Sequence, residues 1–178
     1  MKPAAVRDRT VTPTPDTMNQ FRVKVSKEGQ LFAAAHFITY GDGESEPLHG
    51  HNYRVGVEVF GPLDPHHLVF DFVRLDRELR AVVAPLDHRV LLAADNPKLP
   101  LERTGEEVVV RGRAGRYVFP VRDVVVLGVP NTTAELLAAW IADRLLERLG
   151  DDARALTRLE VELEETTGQS AIVRRDLP

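Results

Sequence analysis

From Gln20 to Ser26 apolar and polar residues alternate, placing Phe21, Val23 and Val25 on one face of a half-buried strand. Glu28-Gly29 is a turn signal, and Leu31 to Phe37 follows as a second strand, so the two are expected to form a hairpin. A polar, glycine-rich loop runs from Thr39 to Pro47. Alternation returns from His51 to Phe60, with Tyr53, Val55, Val57 and Val59 facing one way, and stops at Gly61-Pro62. From Asp71 to Val83 the period becomes helical, through Phe72, Leu75, Leu79, Val82 and Val83, with Asp71 placed to cap the helix.

Residues 96–130 break this regularity. Short strands are expected at Glu107 to Val110, Tyr117 to Val121 and Val124 to Leu127, about the loop Gly112-Arg113-Ala114-Gly115; together they read as an insertion. Thr133 to Leu149 carries the clearest helical stripe, through Leu136, Leu137, Trp140, Ile141, Leu145 and Leu149, and Gly150 stands where a C-terminal cap belongs. Leu159 to Glu165 alternates again, and Ser170 to Val173 is expected to pair with it across Thr166 to Gln169. Strands in pairs with helices between them predict an α+β fold on an antiparallel sheet.

Composition narrows the chemistry. The 178 residues suffice for one globular domain, expected over 20–178 with the insertion at about 96–130, behind a flexible polar tail at 1–19. That tail lacks the apolar segment of a signal peptide, and no apolar run is long enough to span a bilayer, which suggests a cytoplasmic protein without membrane contact. A net charge of −4 gives no basic field for nucleic acid. The absence of cysteine excludes disulfides, thiolate–metal sites and thiol nucleophiles, so a zinc site here must use His, Asp or Glu.

Three of the six histidines are close in sequence: His36 at a strand end, then His49 and His51 around Gly50. Residues two apart on an extended backbone point to the same side, so His49 and His51 can present both imidazoles to one point, and His36 can join them from a neighbouring strand. Three neutral imidazoles with one open position suit catalytic zinc. The plainer alternative is two surface histidines and an unrelated buried one; the third histidine, before a polar loop, favours the metal. His66-His67 follows Asp64-Pro65 and is read as solvent-facing loop.

The segments FAAAHF, LHGHNYRVGVEV, VFDF, LDHRVL, NTTAELLAAWI and VELEETT, in this order, resemble the 6-pyruvoyl-/6-carboxy-tetrahydropterin synthase superfamily over about Phe21 to Val173, outside the insertion. The resemblance implies a tunnelling fold: a four-stranded antiparallel sheet with two helices on one face. Subunits are expected to close into a trimeric barrel and to stack as a homohexamer, with active sites between them. It further implies that His36, His49 and His51 bind Zn²⁺ as a Lewis acid toward the substrate side chain. Asp87-His88 resemble the acid/base pair of the family; taken alone they read as a turn that packs Leu86 and Val90. Glu165 resembles the pterin anchor, able to accept two hydrogen bonds in a fork. Thr133 and Glu135 resemble further pterin contacts, or else cap the long helix and place charge in its first turn.

One departure matters. Where many relatives carry a cysteine, four residues before the first histidine of HGH, this chain has Ser45. The adjacent Glu46 matches the glutamate of a subgroup with the pattern E-x-x-H-G-H, which resembles enzymes cleaving the side chain of 7,8-dihydroneopterin triphosphate to 6-hydroxymethyl-dihydropterin. A partly desolvated carboxylate near zinc is a competent base. Glu44 is the rival, and an acidic solvated loop the plainer reading of both. The expected activity is a zinc-dependent lyase of this kind. Alternatives are a 6-pyruvoyl- or 6-carboxy-tetrahydropterin synthase with a replaced cysteine, a non-catalytic pterin binder, or a structural zinc protein, which would need a fourth protein ligand. Arg54, Arg89 and Lys98 are possible partners of a triphosphate.

Overall fold

A computed structural model of the chain describes residues 21–26, 31–112 and 115–178. The expected tail at 1–19, the turn Glu28-Gly29 and the loop residues Arg113 and Ala114 lie outside the described residues. The strands are β1 (Phe21–Val25), β2 (Leu31–His36), β3 (Thr39–Tyr40), β4 (Glu44–Ser45), β5 (His49–Gly61), β6 (Arg89–Ala93), β7 (Leu101–Thr104), β8 (Glu107–Gly112), β9 (Gly115–Pro120), β10 (Val124–Leu127), β11 (Arg158–Thr166) and β12 (Gln169–Asp176). Among the described residues the two α-helices are α1 (Phe72–Val83) and α2 (Ala134–Leu149).

β5 organises the sheet because it is long enough to serve two partners along one edge. β1 pairs antiparallel with its C-terminal half, Phe21 opposite Gly61 and Val25 opposite Val57. β2 pairs antiparallel with its N-terminal half, Leu31 opposite Arg54 and His36 opposite His49. The expected hairpin of these two strands is therefore corrected: both run antiparallel to β5, hence in the same direction, one after the other. Local alternation reads identically in either arrangement, and only the 13-residue length of β5 favours this one.

On its other edge β5 pairs with β11, and β11 with β12, all antiparallel. The combined β1/β2 line, β5, β11 and β12 thus make the expected four-stranded antiparallel sheet. Two further strands extend it beyond β2: β6 pairs parallel with β2, and β10 parallel with β6. Parallel neighbours require a crossover connection, and the insertion between β6 and β10 is that crossover, folded as its own antiparallel meander of β7, β8 and β9.

Both helices cover one face of the sheet. Val23, Val25, Phe32, Val55, Val57, Val59, Leu159, Val161 and Leu163 meet Leu75, Leu79, Val82, Leu137, Ile141 and Leu145 in the main core. Each such aliphatic side chain contributes about 1.5–3 kcal/mol on full burial. Asp71 caps α1 as expected, its Oδ1 accepting from the Val73 N–H at 2.8 Å. α2 ends at Gly150, whose φ of 57° is the conformation a glycine tolerates best. The helices are tied by Arg148, which donates to the buried Glu78 at 2.9 Å from Nε and lies 2.8 Å from it at Nη2. Among the described residues no helix is long and apolar enough to cross a membrane.

Candidate metal centre

The pairing of β2 with β5 assembles the histidines. His36 stands directly opposite His49, and His51 follows two residues on, so period-two alternation turns all three to the helix-covered face. The next positions inward are Phe32 and Tyr53, stacked at 4.8 Å between ring centroids, which closes the core beneath the cluster. Gly50 lets the strands approach: a Cβ there would lie 2.8 Å from the Ala34 carbonyl oxygen.

One ligand atom from each of His36, His49 and His51 lies within 4.8 Å of the others. His36 Nδ1–H donates to the Thr132 carbonyl at 2.8 Å, and His49 Nδ1–H donates to the Pro47 carbonyl at 2.9 Å. A carbonyl only accepts, so in the neutral rings both lone pairs sit on Nε2. Those two Nε2 atoms are 3.1 Å apart. The third, His51 Nε2, is buried without a hydrogen-bond partner among the described residues. Two lone pairs facing each other beside a third, unpartnered ring nitrogen form an arrangement that a cation satisfies. Tetrahedral zinc with Zn–N bonds of about 2.0–2.1 Å would set its nitrogens about 3.3 Å apart, close to the 3.1 Å between the His36 and His49 nitrogens, while the three ligand atoms lie within 4.8 Å of one another. His36 is fully buried, and desolvation holds its pKa below the ordinary imidazole value, which favours the neutral ligand form.

Sequence reasoning missed two residues that support this cluster. Thr132 is buried, holds His36 through its carbonyl, and anchors itself by donating from Oγ1 to the Phe37 carbonyl at 2.8 Å. Its place just before the α2 N-terminus was the available signal. Tyr53 is fully buried; its hydroxyl donates to Glu165 Oε1 at 3.2 Å and lies 3.4 Å from both ring nitrogens of His36. Burial and the Glu165 charge push the Tyr53 pKa well above the usual phenol range, so it remains a donor. Tyr53 continues the odd-numbered series of His49 and His51 on β5, which could have marked it.

Glu165, next to last in β11, lies on the same face, with Oε1 3.6 Å from His36 Nε2 and 3.8 Å from His51 Nε2. Glu164 points the other way, toward Arg54 at 3.6 Å. Glu46 also reaches the cluster, its Oε2 3.4 Å from His49 Nε2. Glu44 is exposed on β4 opposite Tyr40, without a contact to the histidines among the described residues. Ser45 lies between them with a buried Oγ that has no hydrogen-bond partner among the described residues. Thr133 is the N-cap residue of α2 but makes no side-chain cap, and Glu135 is exposed in the first turn. Neither makes a polar contact with the histidines or Glu165 among the described residues.

Asp87 and His88 form a pair at 2.9 Å, with the imidazole largely exposed. The Ala33 N–H donates to Asp87 Oδ1 at 2.8 Å, and that bond leads the causes holding the Asp87 pKa below the ordinary carboxylate value. His88 adopts φ 55° while its N–H donates to the Ala33 carbonyl at 2.7 Å. It lines two adjoining clefts of about 440 and 610 Å³ together with Ala33 and Asn52, residues that alternate with the histidines. The pair therefore serves the opposite face of the sheet. Arg89 lines the smaller of these clefts and Arg54 the larger, whereas Lys98 is engaged by the Gly41 carbonyl.

The model of the 6-pyruvoyl tetrahydropterin synthase family matches residues 24–176. A Methanocaldococcus jannaschii protein provisionally named 6-carboxy-5,6,7,8-tetrahydropterin synthase is 30% identical over 151 residues, spanning 84% of this chain and 92% of its own. The solved 6-pyruvoyl tetrahydropterin synthase of Plasmodium falciparum superposes with a TM-score of 0.84 at 29% identity, covering 89% of this chain and 99% of its own. A Plasmodium vivax 6-pyruvoyltetrahydropterin synthase, solved with a glutamate described as a catalytic residue changed to alanine, superposes equally well, with a TM-score of 0.84 at 27% identity over the same shares of both chains.

Proposed function

The chain belongs to the 6-pyruvoyl tetrahydropterin synthase family, and from that premise we propose that it is a zinc-dependent lyase. Its substrate is 7,8-dihydroneopterin triphosphate, whose side chain it cleaves to leave 6-hydroxymethyl-dihydropterin. The observation that carries this reading is Glu46, whose carboxylate lies 3.4 Å from His49 Nε2 in a chain without cysteine. The glutamate described as catalytic in the Plasmodium vivax relative agrees with it.

His36, His49 and His51 hold the metal, and Thr132 and Pro47 fix two of the rings through their Nδ1–H groups. Bound zinc would supply Lewis-acid polarisation of the substrate side chain. Glu46 accepts the proton of the hydroxyl on the second side-chain carbon as the bond between the first and second carbons breaks. The triphosphate-bearing fragment leaves as an aldehyde. The electron pair passes into the dihydropterin ring and is recovered when the first carbon is reprotonated. Glu165 holds the pterin by its N3–H and 2-amino group, steadied by the Tyr53 hydroxyl. Thr133 and Glu135, at the head of α2, complete the pterin contacts.

Asp87 and His88 return the proton, with Asp87 setting the His88 tautomer. Because they face the opposite side of the sheet from their own histidines, a neighbouring copy has to supply them. This supports a homo-oligomer with shared sites, read here as a hexamer of two stacked trimers. The test is incubation of zinc-loaded protein with 7,8-dihydroneopterin triphosphate and mass spectrometry of the products. A 6-hydroxymethyl product is expected. A pyruvoyl or carboxy product would replace this reading with the activity named for the relatives, and binding without turnover would leave a pterin-binding protein.

A further inference from the structure

The insertion of residues 96–130 packs against the segment that carries Glu46. Phe37, which follows His36, and Leu48, which precedes His49, belong to a second apolar cluster with Leu99, Val108 and Val110 of the insertion. The Phe37 ring lies 4.8 Å from that of Tyr117. Between Phe37 and Leu48 the chain forms the β3–β4 hairpin, closed by the Glu46 N–H donating to the Ile38 carbonyl at 2.8 Å. Each strand of this hairpin is two residues long, and Gly41 and Gly43 in its turn both have positive φ. A ladder so short does not hold itself in water.

Its hold comes from outside. Asn96, only 4% exposed, donates from Nδ2 to Thr39 Oγ1 at 2.9 Å, and its Oδ1 accepts from the Lys98 N–H at 3.0 Å. Lys98 in turn donates to the Gly41 carbonyl at the hairpin turn. From the α2 side, Asn131 donates to the Thr39 carbonyl at 2.8 Å. Thr39 pairs with Ser45, the neighbour of Glu46. We propose that Asn96 is a positioning residue: through Thr39 it clamps the hairpin so that the Glu46 carboxylate is held at the metal centre. The insertion is then part of the active-site support as well as a crossover. The effect on turnover rests on the reading of Glu46 as the base; the clamp itself does not.

The test compares Asn96→Ala, Thr39→Val and Thr39→Ser with the wild type, by hydrogen exchange and by steady-state kinetics on zinc-loaded protein. Asn96→Ala and Thr39→Val should speed exchange of the Glu46 amide, leaving α2 protected. They should also lower kcat about 10–100-fold at unchanged KM and zinc content, since an ångström of misplacement costs about that much. Thr39→Ser, which keeps the hydroxyl, should restore both. An unchanged Glu46 amide in Asn96→Ala would overturn the clamp whatever the activity does. Faster exchange with full kcat would overturn the positioning role. A wild type without turnover would count against the lyase reading, and the exchange result alone would then support or overturn the clamp.

Discussion

β5 carries three glycines whose surroundings differ, and replacing each by alanine separates strand spacing from metal binding. At Gly50 a Cβ would lie 2.8 Å from the Ala34 carbonyl oxygen and 3.3 Å from the Ala35 Cα, both backbone atoms of β2. Backbone cannot rotate away, so β2 and β5 must part by roughly half an ångström to recover ordinary contact, at about 1–3 kcal/mol of strain. His36 and His49 sit opposite each other one residue along this ladder. A displacement of that size exceeds the tolerance of about 0.2 Å for metal–ligand distances. Gly50→Ala should therefore weaken zinc binding by about 10–100-fold, or about 1.4–2.8 kcal/mol. At Gly61 a Cβ would lie 2.9 Å from the Ala155 carbonyl oxygen at the far end of the strand, so Gly61→Ala should lower the melting temperature and spare zinc affinity. At Gly56 the nearest atoms are the Ser26 side chain at 3.5 Å, and Gly56→Ala should spare both. Competition with a chromophoric chelator, alongside melting of the metal-free proteins, measures the two effects separately. Wild-type zinc affinity in Gly50→Ala would refute the argument that strand spacing sets the site, and equal losses in Gly50→Ala and Gly61→Ala would reduce it to general destabilisation.

Tyr53→Phe removes the donor to Glu165 and should raise KM for the pterin about tenfold at unchanged zinc content, a typical loss for a hydrogen bond to a charged group; an unchanged KM would remove Tyr53 from substrate binding. Asp87→Asn should lower kcat about 100-fold by misorienting His88, with the fold retained by circular dichroism; full activity would leave the Asp87 carboxylate a purely structural role. Glu78→Gln weakens the bonds from Arg77 and Arg148 and should cost about 1.5–3 kcal/mol at neutral pH in chemical denaturation. Hydrogen bonding from Arg77, then Arg148, holds the Glu78 pKa below its unfolded value, so this contribution is present above the unfolded pKa. It fades as pH falls through the folded pKa, and the gap between variant and wild type should close in acid; a gap constant from neutral to strongly acidic pH would contradict the assignment.

How much of this was legible in the sequence follows from how local each signal is. The helical stripe of Leu137, Ile141 and Leu145 and the alternation of Tyr53 to Val59 report burial directly, so both helices and the face of β5 follow from pattern alone. The histidines were legible because His49 and His51 share a face of one strand and His36 directly precedes the connecting loop. What the pattern could not state is which partner a strand takes. Phe21 to Val25 and Leu31 to His36 alternate identically whether they fold back on each other or lie end to end along β5. The same limit hid the insertion's role. Tyr117 and Phe119 alternate with Val118 in a strand whose inward face could equally have met solvent or a partner, and nothing near them names Phe37, 80 positions earlier in the chain, as their contact.

That distance bears on the chemistry. Glu46 was distinguishable from Glu44 only as a family resemblance, since both are acidic residues in one polar loop. The structure separates them by position: Glu44 falls in the hairpin ladder opposite exposed Tyr40, whereas Glu46 lies just beyond it, where the chain returns toward His49. A shift of two residues in that short ladder would bring Glu44 to the place that Glu46 holds beside the histidines, and a shift of one would bring Ser45 there. The groups that fix its register, Asn96, Lys98 and Asn131, are drawn from the insertion and the approach to α2. The proposed base is thus selected by side chains 50 to 85 residues away, and a local motif cannot carry that information.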